Sequence, residues 1–213
     1  MRNGAGRAVR VRVFVDYWNF AGNWCGITGM QPDKNLDWAV FPQAILDALD
    51  GIPQLRNRRK EFRAIKVYSS IRPPGVAEFT RVSEEVQFEE EKRLQRWFQD
   101  HLDQLTAYTV DITPKADEPL ACEVCNRQNS HLVEQGVDTK IAIDLVSLAS
   151  NDLFDIAVLI TEDGDLVPSM QCVQDSLDKQ VVHIGFRDKK SAVRTEAWGH
   201  LFVDDILADI LIN

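Results

Sequence analysis

FDIAVLITEDGDL, residues 154–166, joins an apolar run broken only by Asp155 to a tight knot of acids. The run 154–160 is continuous rather than alternating, and it has the length of one strand. That is the pattern of a central strand covered on both faces. The T-E-D-G-D segment follows at once, so Asp163 and Asp165 fall at the carboxyl end of that strand, and Gly164 between them permits the tight turn that aims both inward. Working outward, 166–177 reads as a helix and VVHIG (181–185) as a further short strand. Residues 192–212 read as helical and strand-like pieces. Upstream, Ile141, Leu145 and Leu148 lie at helical spacing in 138–149, which sets Asp138 at a helix N-terminus and Asp144 more than one turn further on.

The first part of the chain repeats the theme. VRVRVFVD (9–16) alternates, is rich in valine, and reads as a first strand ending on Asp16. A glycine-containing loop is expected over 21–35, then a helix over 36–49 with Pro42 as a kink or restart. The basic run RNRRK (56–60) reads as a loop, and AIKVYSS (64–70) as the second strand. After Pro73, Pro74 and Gly75, residues 78–102 form an amphipathic stretch in which Phe79, Val82, Val86, Leu94, Trp97 and Phe98 share a side, the longest expected helix. A third strand is expected over 105–112, followed by a linker-like connector around 115–129. Strands alternating with helices predict a three-layer α/β/α arrangement with a mostly parallel central sheet.

Length and composition set the frame. A chain of 213 residues suits one domain with a full core, residues 1–213, carrying a CxxC-containing insert near 113–131. Its 45% hydrophobic and 27% charged residues are ordinary for a globular protein, and no apolar run approaches the roughly 20 residues of a membrane span. The basic start of the chain leads straight into a β-like run without the apolar core of a signal peptide, so a soluble cytoplasmic protein is expected, with reduced rather than disulfide-bonded cysteines. The net charge of −9 speaks against a broad basic nucleic-acid surface but not against a site that works through bound cations.

In an open parallel sheet, ligands bind at the carboxyl ends of the strands where strand order reverses. Asp16-Tyr17-Trp18-Asn19 and Thr161 to Asp165 both fall at such ends, and Asp138 can reach the same crevice. Hard cations such as Mg²⁺ and Mn²⁺ take oxygen ligands and need only a few carboxylates plus substrate phosphate. In phosphodiester hydrolysis such ions generate hydroxide from water and clamp the attacking and leaving oxygens, so no His or Ser nucleophile is needed. Converging carboxylates without metal repel, so at least one should have a raised pKa. Asn19 and Thr161 are candidates to orient a carboxylate or water, with Asp144 a weaker candidate for the same supporting role. Singly, each acid reads more simply as a helix cap or a turn residue. Their joint placement at strand ends reverses that preference.

VFVDYWNF (13–20), GVDTKIAIDLVSLA (136–149) and DIAVLITEDGDLVP (155–168) together resemble the NYN domain family, a branch of the PIN-like nucleases. The resemblance runs from about 11 to 203, including AWGHLFVDDI (197–206), which looks like the family's terminal strand. It implies a Mg²⁺- or Mn²⁺-dependent ribonuclease site in which Asp16, Asp138, Asp163 and Asp165 are ligands and Asn19 supports them. Glu162 stands where the family usually has a small residue. Gln135 stands where it often has lysine, which removes an expected phosphate contact. Many members carry two Cys pairs as a zinc ribbon. Here Cys122 and Cys125 have only His131 nearby, and a closed zinc site takes four ligands, so two free thiols are the stronger reading and structural zinc the weaker.

RNA is the expected partner. Arg187, Lys189 and Lys190 follow a strand end on the active face and are favoured over Arg56 to Lys60 as phosphate contacts. Tyr17 and Trp18 could stack unpaired bases, but alternation turns one of them inward as core, so at most one is a platform, and Trp18 is the one carried forward as a weak RNA-binding candidate. Cys172 reads as a buried small hydrophobe. His101, His183 and His200 are given no role. PIN-like domains often work as dimers, so a homodimer is a further expectation. The rival readings are a non-catalytic RNA-binding scaffold of the same fold and a phosphatase or nucleotide-processing enzyme using the same ions.

Overall fold

A computed structural model describes residues 7–72, 82–121 and 128–212. In chain order the elements are β1 (Val9–Asp16), α1 (Tyr17–Thr28), α2 (Pro32–Asn35), α3 (Phe41–Ala48), β2 (Lys60–Ile71), α4 (Val82–Asp100), β3 (Tyr108–Pro114), β4 (Ala116–Ala121), β5 (Gln128–Val133), α5 (Val137–Ser150), β6 (Ile156–Ile160), α6 (Val167–Gln171), β7 (Gln180–Gly185), α7 (Ala192–Glu196), β8 (Gly199–Phe202) and α8 (Val203–Ile210). The main sheet has the order β3-β2-β1-β6-β7-β8, and every pairing in it is parallel. The chain therefore lays strands outward in one direction from β1, then returns and lays them outward in the other from β6. The reversal lies between β1 and β6, where Val11 to Val15 pair with Ile156 to Ile160. This is the doubly wound α/β/α sandwich of PIN-like proteins.

The strand patterns explain the layers. All five residues of β6 are buried, as a strand covered on both faces requires. Ile156, Val158 and Ile160 join Val11, Val13 and Val15 in a core under α1, α3, α4 and α8, while Ala157 and Leu159 join Phe14 and Tyr68 in a second core under α5 and α6. The first core is aromatic: Phe20 lies 5.6 Å from Trp24, 6.1 Å from Phe41 and 5.8 Å from Phe186 between ring centroids.

Several local expectations are corrected. Residues 21–35 are not one loop, because α1 begins directly after Asp16 and carries Gly22 and Gly26 within it. Burial of Phe20, Ala21 and Trp24 on one face outweighs the helix cost of two glycines, roughly 1 kcal/mol each. Pro42 starts α3 rather than kinking a longer helix, since its fixed φ and missing N–H suit the first turn. Strand β2 is longer than expected, and Lys60 of the basic run opens it and pairs with Asp50. The connector holds an antiparallel hairpin, β4 with β5. The helix expected over 166–177 is α6 followed by a wider π turn at Cys172–Ser176, where Cys172 is exposed rather than buried. Of the amphipathic face of α4, Leu94 and Phe98 are buried as expected, while Phe79 lies outside the described residues. Among the described residues, no helix is long and apolar enough to cross a membrane.

Candidate active site

Asp16 ends β1 and caps α1. It is 5% exposed, with Oδ1 accepting from the Asn19 backbone N–H at 3.3 Å and Oδ2 accepting from the Thr161 hydroxyl at 3.1 Å. Thr161 is itself buried at the end of β6, and its Oγ1 also accepts from the Asp163 N–H at 3.1 Å. Asp163 then caps the turn, its Oδ1 accepting from the Asp165 N–H at 2.9 Å. One buried hydroxyl thus ties the two strand ends together. Asn19 ties them again, its Oδ1 accepting from the Glu162 N–H at 2.9 Å. Asp138 enters from the first turn of α5, behind Gly136 at φ 79°.

The electrostatics follow from this crowding. Burial pushes the Asp16 carboxyl up to about 7 against the opposing pull of the Asn19 N–H, and the charges of Glu134 and Asp138 push the same way. Asp138 is raised by burial and then by the charges of Asp163 and Asp165. These couplings link Asp16, Asp138, Asp163 and Asp165 in one field. They also add Glu134, whose own carboxyl is raised by the protein packed around it, with Asp138 and Glu91 acting in the same sense. Glu134 was not expected. It lies in the strand-to-helix connection four residues before Asp138, where no periodicity marks it.

Among the described residues, no three acidic, imidazole or thiol side chains stand close enough to enclose an ion as they are. The donor chemistry nevertheless fits a hard divalent cation, because the set is all oxygen and both Asp16 and Asp138 are raised by burial and neighbouring negative charge, which a cation would relieve.

Asp144 does not join the site. Its carboxylate accepts from Lys66 Nζ at 2.6 Å and from the Tyr68 hydroxyl at 2.7 Å, and Lys66 continues the network to Asp111 at 3.0 Å. Six residues along α5 turn Asp144 away from Asp138 and onto β2. Glu162 also turns away from the carboxylates. Its Oε1 accepts from the Phe186 N–H at 2.8 Å and its Oε2 lies 3.6 Å from His183 Nε2. His183 is 1% exposed and bonds the Thr161 carbonyl through Nε2 at 2.8 Å, so that nitrogen carries the proton. Burial holds the ring down to about 4 and keeps it neutral. His183, given no role from sequence, braces the backbone from which Asp163 departs. The one sign was a histidine inside an otherwise apolar strand.

Trp18 is half-buried. Its Nε1 donates to the Ser70 carbonyl at 2.8 Å, and Lys115, paired with Glu91 at 2.6 Å, lies 5.6 Å from its ring. Tyr17 is fully buried. Arg187, Lys189 and Lys190 are exposed just beyond β7, on the carboxyl side of the sheet. Arg187 is committed to Asp205 and to the Phe202 ring, 4.5 Å away, while Lys189 has a loose pair with Asp188 at 3.8 Å. Cys122 and Cys125 lie outside the described residues, and His131 enters only through its backbone, opposite Glu118 in the hairpin.

Comparison with known proteins agrees with the fold. A protein of unknown function from Vibrio parahaemolyticus, solved by crystallography, shares the fold with a TM-score of 0.57 at 17% identity, over 100% of both chains. No curated protein matches the chain. The sequence pattern of the NYN domain matches residues 10–203, which spans both strand ends, the Asp138 helix and the closing strand, and the chain therefore belongs to the NYN domain family, a family of PIN-like nucleases.

Proposed function

We propose that this protein is a metal-dependent ribonuclease that hydrolyses RNA phosphodiester bonds internally. What supports the reading is the electrostatic coupling of carboxylates beside the β1/β6 reversal: Asp16 is raised by burial and by the charges of Glu134 and Asp138, and Asp138 by burial and by those of Asp163 and Asp165. These four residues would hold Mg²⁺ or Mn²⁺. Such ions, when bound, lower the pKa of water and neutralise charge building on the phosphate.

The protein's own groups divide the remaining work. Asp16 is the fixed ligand, because two hydrogen bonds and burial leave its carboxylate a single orientation. Asp163 is fixed by its cap on the turn, and Asp165 follows it at the rim. Thr161 and Asn19 act through the backbone and through Asp16 rather than on substrate. Lys189 and Lys190, beside the site on the same sheet end, suit the flanking phosphates.

The test is cleavage of labelled single-stranded and hairpin RNA in Mn²⁺ or Mg²⁺, with EDTA and the Asp16→Asn/Asp163→Asn double variant as controls. Internal cuts that require both metal and aspartates support the assignment. Metal-independent cleavage, or cleavage by the double variant, would refute it. RNA retained but never cut would favour a binding scaffold, and hydrolysis confined to mononucleotides a phosphatase.

A further inference from the structure

The basic run RNRRK (56–60) has no part in the acidic site. It lies at the amino end of the sheet, opposite the end that carries the carboxylates: Val9, the first residue of β1, donates its N–H to the Arg59 carbonyl at 2.8 Å, and Lys60 opens β2. Beside this junction is a cavity of about 270 Å³, walled by the starts of β1, β6 and β7, by Trp198 just before β8 and by the loop before β2. Arg7 precedes β1 and Arg58 precedes the adjacent β2, so the two cations enter from one side, while Trp198 enters from the β8 side with Asp178 and Gln180 of the β7 start between. From β1 to β8 is three strand spacings, roughly 14 Å.

The charges lining the cavity are unequally committed. Asp155 is saturated by Arg10, whose backbone N–H, Nε and Nη2 reach it at 2.8, 3.0 and 2.7 Å. Arg7 is left with loose pairs, 3.6 Å to Asp155 and 3.8 Å to Asp152, and the exposed Arg58 guanidinium has no salt bridge among the described residues. In a chain of net charge −9, a guanidinium without a carboxylate partner is uncommon and open to an anion. Trp198 is 38% exposed, its backbone N–H held by Gln174 Oε1 at 2.8 Å. Its indole makes no ring contact and no hydrogen bond among the described residues.

We propose that this cavity binds a free nucleoside 5′-phosphate, with the phosphate on Arg58 and Arg7 and the base on the Trp198 ring. The inference is independent of the ribonuclease reading, since the cavity lies at the other end of the strands and a ligand there is not presented to the carboxylates. Cations on one side and an open indole on the other match a molecule that is anionic at one end and flat at the other. Guanidinium N–H groups fit phosphate oxygens in pairs, and an indole face stacks on any base. Asp178 and Gln180 offer an acceptor and a donor to the ribose hydroxyls between them. Phosphate alone would leave Trp198 uncovered, and a base alone would leave Arg58 without a partner. The volume falls just below the range of about 300–1,000 Å³ typical of small-ligand sites, which suits one nucleotide rather than a strand.

The test is isothermal titration in EDTA with AMP, adenosine, ribose 5-phosphate and a 5′-phosphorylated tetra-adenylate. AMP should bind at one site, with adenosine and ribose 5-phosphate each about tenfold or more weaker, because each keeps only one end of the ligand. Arg58→Ala should weaken AMP about tenfold and leave adenosine unchanged. Trp198→Ala should weaken AMP by a similar factor and leave ribose 5-phosphate unchanged, with circular dichroism confirming that both variants are folded. Asp16→Asn/Asp163→Asn should bind AMP as the wild type does. Absence of saturable AMP binding, ribose 5-phosphate binding as tightly as AMP, or AMP affinity unmoved by both cavity variants would overturn the proposal. So would AMP binding lost with the two aspartates, which would place the nucleotide on the carboxylates. A tetra-adenylate that outcompetes AMP and is weakened by Arg58→Ala would assign the cavity to a strand end and overturn the free nucleotide.

Discussion

Asp16 and His183 titrate in opposite senses, and together they shape the stability of the metal-free protein. The Asp16 carboxyl is raised from 3.8 to about 7 in the folded chain, so between those values the folded state holds more protons than the unfolded one, and stability falls as pH rises through that window. His183 is lowered from 6.5 to about 4, so the unfolded state holds more protons there, and its contribution is lost as pH falls from 6.5 to 4. Asp16→Asn removes the first effect. Urea unfolding at pH 8 in EDTA should show the variant more stable than wild type by about 1–3 kcal/mol, with metal-dependent cleavage lost in the same protein. Equal stability at pH 8 would mean that Asp16 is not held against its own charge.

Gly185 tests the brace behind the acidic turn. A Cβ there would collide with the His183 ring and the Glu162 carboxylate. Gly185→Ala should therefore shift the Thr161 to Asp165 backbone. The expected result is a loss of about 1–3 kcal/mol on unfolding, with a weaker response of activity to metal concentration. Glu162→Gln keeps an oxygen for the Phe186 N–H and should cost little by either measure.

At the scale of elements, α1 gives a clean contrast. Gly22 and Gly26 face open space inside the helix, so alanine at either should stabilise by roughly 0.5–1 kcal/mol. Gly29 ends the same helix at φ 75°, where alanine is strained, and Gly29→Ala should destabilise by about 1 kcal/mol or more in the same thermal melts. The two glycines inside α1 also explain why the sequence suggested a loop. They lower helix propensity, and only the packing of Phe20 and Trp24 against the sheet restores the helix. Strand β6 was legible because burial on both faces leaves an unbroken apolar run. The hairpin of β4 and β5 was not, since its two sequences, ADEPLA with Pro119 and QNSHLV, show no regular alternation of apolar and polar residues.

Over the whole molecule, the site is a consequence of topology. Acids from three separate segments, Asp16, Asp138 and the Asp163/Asp165 turn, come to the same end of the sheet because two halves of a parallel sheet are wound in opposite directions from β1 and β6. The placement of Asp16, Asp163 and Asp165 at strand ends and of Asp138 at a helix start could be read from the sequence, since that rule depends only on local pattern. Glu134 and the Glu162–His183 brace could not, because their roles depend on which loops the fold sets side by side. The two-sided core carries the arrangement. Phe154, fully buried below β6 and 6.0 Å from Phe14, should cost about 3–5 kcal/mol on truncation to alanine, and cleavage should be regained when the variant is cooled below its lowered melting point.

Isothermal titration of Mn²⁺ into the apo-protein at pH 6, repeated in buffers of different ionisation heat, tests the carboxylate site most directly. Wild type should bind Mn²⁺ with release of protons, because Asp16 is largely protonated at that pH and must ionise to become a ligand. Asp16→Asn/Asp138→Asn should lose both the binding and the proton release. Binding of equal strength in that variant, or binding to wild type with no proton released, would contradict a cation site built on these residues.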